Sequence, residues 1–507
     1  MLSGDYLKKR KQDKWLPIKD FVLKLCIQAH DEIEKAKQAE QVLTLNDLMS
    51  ATLRLLQDAY ALSKITARCR WLFCDEYQDT DSVQFQIIQA LMQAGVNVFL
   101  IGDDQQSIYA YRGADIKSSQ KAYEMIQAIA PGEQALNENF RSNPAILQAV
   151  NRLFSNRFRY MGKRLHFPFF ELLSPEHAKA MPSVENSCRV VYGSKPHEII
   201  KRIMEHDTIG GRPVSYEDIY ILCRTNPQAA AVENELKAIG IPVATVGGKG
   251  FYCKKEIIDI YKLFNAILIS RKAYRNELAF TDYYTALAKH TEITLADFLT
   301  ELDYVFREES IDGILEFIYD KSEILTYYGQ TGDYQAIANL NKLRNIAGDI
   351  LSREFMQPLG FLEYLHRKIE SQAEEDEAEI GDDDRKKGII TVMTIHKAKG
   401  LSLPVVIVPN IERPLVNERR FPDFVVDPEK KRFVVNNVFN AGLALDAEYE
   451  ELLSEHVIST LEEEMRVLYV AMTRAEHLLV LSTGYERKAL AEKFSHESYV
   501  SWHTWLS

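Results

Sequence analysis

The sequence predicts an α/β fold built on parallel sheet, and three observations predict it. The apolar run Trp71-Leu72-Phe73-Cys74 passes directly into the acidic pair Asp75-Glu76. A second apolar run, Val96–Ile101, passes into Gly102-Asp103-Asp104-Gln105-Gln106. Between them Val83, Ile87, Ile88 and Leu91 recur at helical spacing, and Gly95 supplies a stop. Short continuous apolar runs suit strands buried on both faces of a parallel sheet. Strand, helix and strand, with polar residues at the same edge each time, complete the pattern.

The acidic pair is where chemistry is expected first. Open α/β folds bind their ligands at the carboxyl edge of the sheet, where Asp75 and Glu76 fall. The first acid can hold Mg²⁺ through its hydration shell, because Mg²⁺ prefers carboxylate and water to a closed protein cage. The second can orient or deprotonate an attacking water. A plain acidic turn after a strand is the competing reading of residues 71–80.

Length and composition bound the answer. At 507 residues the chain is expected to hold several domains. Hydrophobic content of 46% with 26% charged residues is ordinary for a globular chain with sizeable cores. The six cysteines are scattered, none beyond Cys253, as suits reduced thiols rather than a disulfide frame or an iron–sulfur site. Residues 1–15 are basic but lack a signal-peptide core, and no stretch approaches membrane-spanning length. A cytoplasmic protein without membrane contact is therefore expected. The net charge of −12 argues against a surface coated in nucleic acid but permits a local basic channel.

In chain order, residues 1–66 are expected to be helical, through Phe21, Leu25, Leu45, Leu48, Met49 and Leu55, with Asn46 capping one helix. Strands are expected at 188–193, 218–224, 241–246, 405–408 and 478–481. Between about 257 and 372 only helical periodicity is evident, as at Ile257, Ile260, Tyr261 and Phe264. The acidic run 374–379 and the mixed run 382–387 read as a solvated connector.

The string Asp75-Glu76-Tyr77-Gln78-Asp79-Thr80, followed by Gly102-Asp103-Asp104-Gln105-Gln106-Ser107-Ile108-Tyr109-Ala110-Tyr111-Arg112-Gly113, resembles motifs II and III of the UvrD/Rep/PcrA-type superfamily 1 DNA helicases. Leu136-Asn137-Glu138-Asn139-Phe140-Arg141-Ser142 is similar to motif IV. The run Ile390-Thr391-Val392-Met393-Thr394-Ile395-His396-Lys397-Ala398-Lys399-Gly400-Leu401 resembles motif V, and Glu462-Glu463-Glu464-Met465-Arg466-Val467-Leu468-Tyr469-Val470-Ala471-Met472-Thr473-Arg474-Ala475 resembles motif VI. Gly247, Gly248 and Phe251 match a further family segment. The ordered motifs run from Asp75 to Arg474, so the similarity covers nearly the whole chain.

The resemblance implies two RecA-like parallel-sheet domains, the first N-terminally incomplete, with a helical insertion in the second. The implied division is a helical remainder (1–66), a partial first RecA-like domain (67–133), the second domain's first part (134–256), the insertion and acidic connector (257–385), and its second part (386–507). ATP and Mg²⁺ are the implied cofactors, and single-stranded and partly duplex DNA the implied partners. Asp75 would carry the metal and Glu76 the water, and Gln106 would couple the γ-phosphate to DNA. Arg141 and Arg474 would act as arginine fingers, with a permanent bidentate charge suited to phosphoryl transfer. Phe140 would stack on adenine, and Gly400 lies beside the nucleotide. Tyr109, Tyr111, Arg112, Thr394 and His396 would line the DNA path.

Two departures qualify this. No Gly-x-x-x-x-Gly-Lys-[Ser/Thr] occurs in the 507 residues, so the β/γ-phosphate cradle is not in this sequence. The chain is expected to start inside the first domain's helical insertion. Three readings follow: an ATP-dependent 3′-to-5′ helicase or translocase given without its P-loop segment, one half of a split motor completed by a P-loop partner chain, or a non-catalytic DNA-binding scaffold. The second departure is Ser402, where the family usually has a glutamate associated with the ribose.

Overall fold

The computed structural model describes residues 16–114, 116–129, 136–165, 171–174, 187–247, 250–269, 272–353, 356–371, 375, 377–378, 388–416, 424–427, 432–435, 447–493 and 500–506. The chain opens with three helices, Leu16–Glu40, Leu45–Leu56 and Ala59–Thr66. Thr44, not Asn46, caps the second: its hydroxyl accepts from the Asp47 amide while the Asp47 carboxylate accepts from Thr44. This reciprocal box satisfies two orphan groups at once, whereas Asn46 lies inside the first turn.

Strands β1 (Trp71–Cys74) and β2 (Asn97–Leu100) pair in parallel, Leu72 opposite Val98 and Cys74 opposite Leu100. The expectation that both faces are buried fails. Leu72, Cys74, Val98 and Leu100 pack with Tyr77, Phe85, Ile88 and Ala122. On the opposite face Trp71 is 61% exposed, Phe73 66% and Phe99 53%. The helices Ser82–Gln93 and Ile116–Ile129 cover one side of this sheet, and among the described residues nothing covers the other. The alternation follows from the strand period of two once only one layer is present.

The main sheet has six parallel strands: β3 (Cys188–Val191), β4 (Ile219–Cys223), β5 (Val243–Thr245), β6 (Ile390–Thr394), β7 (Leu403–Val408) and β8 (Ala475–Ser482). Their spatial order is β3-β8-β7-β4-β6-β5. Each expected strand appears within a few residues of its sequence signal. Here the continuous apolar runs are buried on both faces: Ile219, Ile221, Ile390, Val392, Val405 and Ile407 form one core, and Leu222, Met393, Val406, Leu479 and Leu481 belong to another.

Residues from Lys255 to Glu370 contribute helices and a short 3₁₀ turn, packed round Ile257, Phe264, Phe298, Leu315 and Phe361. The acidic run that follows departs from a solvated connector. Glu377 is 5% exposed, ion-paired with Lys254 at 2.6 Å and bonded to Asn339 at 3.1 Å. The Glu375 carbonyl accepts from the amides of Gly250 and Phe251. A charge run is solvated only where no partner stands beside it, and here the buried Asn339 and the half-buried Lys254 do. Residues 382–387 lie outside the described residues. Among the described residues no helix is long and apolar enough to cross a membrane.

Candidate active site

Asp75 and Glu76 emerge at the carboxyl end of β1. Hydrogen bonds from the Ile101 amide to Cys74 and from the Tyr77 amide to Ile101 hold the two strand ends together. Glu76 has a left-handed backbone, φ 48° and ψ 40°. A non-glycine residue there carries a conformational cost, and such costs cluster at functional sites. Both acids are exposed. Among the described residues no three His, Cys, Asp or Glu side chains gather as a closed metal cage. A lone strand-end carboxylate such as Asp75 suits a hydrated Mg²⁺ shared with phosphate.

The loop after β2 supplies the next groups. Asp103 accepts from the Gln105 amide at 3.0 Å and from the Gln106 side chain at 2.7 Å. Burial raises the Asp103 carboxyl above its ordinary range despite these bonds. Burial likewise raises Asp104, to about 6, with Asp103 adding to the rise. The other end of the Gln106 amide accepts from Arg474 at 3.3 Å.

Arg141 and Arg474, 333 residues apart in sequence (474 − 141), meet at Thr473. Arg141 donates to the Thr473 carbonyl at 3.2 Å, and Arg474 donates to its hydroxyl at 3.2 Å. Local bonding explains the meeting. The Asn139 side chain accepts from the amides of Arg141 and Ser142, making the turn that presents Arg141. The Ser142 hydroxyl then donates to Ala475, and the Asn143 amide to Glu476. These bonds pin the segment to the start of β8, directly after Arg474. Arg474 is 2% exposed and also donates to the carbonyls of Val470 and Leu401. Burial and the neighbouring Arg141 push its pKa down to about 10. Burial lowers Arg141 too, with Glu476 opposing the shift.

Two desolvated guanidiniums side by side, with no salt-bridged carboxylate among the described residues, form a site that an anion would complete. The donor set fits the terminal phosphate of a nucleotide. Phe140, beside Arg141, is exposed. Gly400 is also exposed, in a left-handed conformation next to Leu401. Ser402 donates to the Glu476 carboxylate at 2.6 Å, so a carboxylate from β8 stands beside the serine.

The aromatic residues converge from both sides of the cleft. Tyr109, Tyr111 and His396 form a three-ring cluster, with centroids 5.4 to 6.1 Å apart. The Tyr109 hydroxyl donates to the His396 carbonyl at 3.0 Å. Tyr111 is 64% exposed. Thr394 is buried at the end of β6, at the N-terminal edge of the short helix Ile395–Ala398, with no side-chain capping bond. The side chain of Arg112 lies outside the described residues.

Several residues that sequence reasoning passed over bind the two sides together. The Lys399 ammonium, 5% exposed, lies 2.8 Å from Asp79 Oδ1, 3.8 Å from Glu76 Oε2 and over the Tyr109 ring. Arg466 donates to the Ser107 carbonyl at 2.7 Å, and the Ala110 amide donates to Glu463 at 3.2 Å. Arg466 and Glu463 sit two to three turns before Arg474 on the helix Ala447–Thr473, a spacing that could have marked one face. Lys399 stands within the motif V string, but nothing local marked its role, because its partner Asp79 lies 320 residues away.

The UvrD/REP helicase N-terminal domain family matches residues 4–127, and the UvrD-like helicase C-terminal domain family matches residues 134–274 and 271–486. The chain is similar to the ATP-dependent DNA helicase PcrA of Staphylococcus epidermidis RP62A, 24% identical over 94% of this chain and 64% of that protein. It is also similar to the protein of that name from Staphylococcus aureus MRSA252, 23% identical over 92% of this chain and 62% of the relative. The chain thus spans less than two thirds of the length of these relatives. With the C-terminal family alone matched across 134–486, the chain belongs to the UvrD-like helicase family.

Proposed function

We propose that the chain is the body of an ATP-driven DNA translocase and helicase moving 3′ to 5′, whose phosphate cradle comes from a P-loop segment outside these 507 residues. The observation that carries this reading is the meeting of Arg141 and Arg474 at Thr473, with Arg474 bonded to Gln106 in the loop beside Asp75 and Glu76. Bound ATP would bring the phosphate charge that this cationic side lacks, and Mg²⁺ would screen it. Arg141 and Arg474 would hold the terminal phosphate, Gln106 would bridge Arg474 to the loop carrying Tyr109, and Glu76 would take the water proton. Phe140 would stack on the adenine ring, and the hydrogen-bonded Ser402–Glu476 pair would meet the ribose hydroxyls. Domain limits at 66, 133, 256 and 385 follow from the same reading.

The uncovered face of β1 and β2 supports a missing segment. Parallel sheets are ordinarily covered by helices on both faces, yet Trp71, Phe73, Phe99 and Ile101 remain exposed. A strand–loop–helix unit would add its strand to the sheet edge and its helix to this face. Its loop would then open beside Asp75. A longer product of the same gene and a separate partner chain are both possible sources, and the coding sequence immediately upstream distinguishes them.

The DNA half is testable on the 507-residue chain itself. Tyr111→Ala is expected to weaken oligo(dT) binding by roughly 1–3 kcal/mol, about 5- to 150-fold, because one stacking ring is lost. Fluorescence anisotropy at fixed salt reads this, and equal affinities would remove the tyrosine cluster from the DNA path. Polarity is read on tailed duplexes with the completed motor: a 3′ tail should be unwound and a 5′ tail should not.

A further inference from the structure

We propose that Gln78 is a positioning residue that ties the Glu76 carboxylate to the loop carrying Tyr109 and Tyr111, so that occupancy of the tyrosines is felt at Glu76. The proposal rests on the roles given above to Glu76 and the tyrosines, and it adds the connection between them.

Gln78 is 1% exposed and spans two segments. Its Nε2 donates to Glu76 Oε2 at 2.5 Å, and its Oε1 accepts from the Asp103 amide at 2.9 Å. Its backbone carbonyl accepts from the Ser107 hydroxyl at 3.1 Å. The amide orientation follows from its partners, since a carboxylate only accepts and a backbone N–H only donates. No other side chain of this length offers one donor and one acceptor from a single plane. Glutamate would set a second carboxylate against Glu76, and methionine would leave the Asp103 amide and the Glu76 oxygen without their partner.

Two neighbouring features fit this role. A side chain at Gly102 would place its Cβ 2.6 Å from Gln78 Oε1, so the glycine leaves room for the link. Glu76 holds a left-handed backbone that brings its carboxylate back towards residue 78. On its far side the loop is fastened to the helix Ala447–Thr473 through Ser107 with Arg466 and Ala110 with Glu463. Gln78 is the side chain that joins the backbone of that same loop to the acid by hydrogen bonds, beside the Lys399 ammonium, which lies over the Tyr109 ring and 3.8 Å from Glu76 Oε2.

Amide hydrogen exchange on the 507-residue chain, with and without oligo(dT), tests this without needing ATP turnover. Without DNA, Gln78→Met is expected to speed exchange at residues 76–80 and at Asp103 by at least about tenfold, the size of one lost buried hydrogen bond. Gly102→Ala should reproduce that change by displacing the amide, and Gly102→Ala combined with Gln78→Ala should add nothing to Gln78→Ala alone. With oligo(dT), protection of residues 102–113 should extend to 75–80 in the wild-type chain and stop at 102–113 in Gln78→Met. Unchanged exchange at 76–80 and 103 in Gln78→Met, or DNA protection still reaching 75–80, would overturn the proposal. Failure of oligo(dT) to protect 102–113 in the wild-type chain would instead overturn the DNA reading, leaving the DNA-free comparison to decide on Gln78.

Discussion

Glu76→Gln is expected to lower ATP turnover of the P-loop-completed motor by about 10²- to 10⁴-fold, the range for removing a general base, while ATP still binds. The substitution keeps the shape of the side chain and removes only its charge and basicity. A glutamine carbonyl at position 76 can still accept from Gln78, whose Nε2 now meets Glu76 Oε2. Lys399 keeps its closer partner Asp79, at 2.8 Å. The buried contacts of this region therefore survive, and the loss falls on the chemical step. Nucleotide titration should give affinity within about threefold of the wild type, and thermal unfolding should shift little for an exposed substitution. Turnover within twofold of wild type would take Glu76 out of the reaction.

The two arginines give the second large effect, and they separate by environment. Arg474→Lys retains a charge but not the fork that reaches Val470, Leu401, Thr473 and Gln106. Lysine is a point charge and cannot replace this set of donors. Hydrolysis should fall by roughly 10³- to 10⁵-fold, the worth of an arginine finger, with some loss of stability because buried carbonyls lose their donor. Arg141 is only half-buried and donates to Thr473. Arg141→Ala should cost less stability and still lower turnover by a factor within the same range. On the proposed reading both guanidiniums act on one phosphate, so the double variant should be little worse than the poorer single one. Single-turnover hydrolysis reads all three, and an Arg141→Ala rate within threefold of wild type would break the pairing.

Much of the fold was legible because its signals are local. Five of the six strands of the main sheet were expected, most plainly the apolar run Leu403–Val408, which is buried on both faces; Ile390–Thr394, where two threonines interrupt the apolar residues, was not. The helical block after Lys255 shows its period directly. The β1–β2 sheet misled for the same reason: Trp71 and Phe73 look like core residues, and only the three-dimensional layering leaves their face uncovered. Glu377 misled in the opposite direction, since Lys254 and Asn339 convert an acid in a charged run into a buried anchor.

The site was legible as motifs and illegible as connections. Asp75, Glu76, Gln106, Arg141, Arg474, Tyr109, Tyr111 and His396 were marked by their strings, and folding links Gln106 and Arg141 to Arg474 and Thr473 and gathers Tyr109, Tyr111 and His396 into one ring cluster. Gln78 and Lys399 sit inside the same strings. What distinguishes them is a partner 25 residues away in one case and 320 in the other. Hydrogen bonds between segments leave no periodicity, so Ser402 could be read only as a missing glutamate until Glu476 appeared beside it.

The most direct measurement is steady-state ATP hydrolysis with oligo(dT), comparing the 507-residue chain alone with the same chain supplied with the P-loop-bearing N-terminal segment of a PcrA relative. Negligible turnover is expected from the chain alone, and DNA-stimulated turnover once the segment is present, abolished by Glu76→Gln. Full DNA-stimulated turnover from the chain alone, or none after the segment has bound, would contradict it.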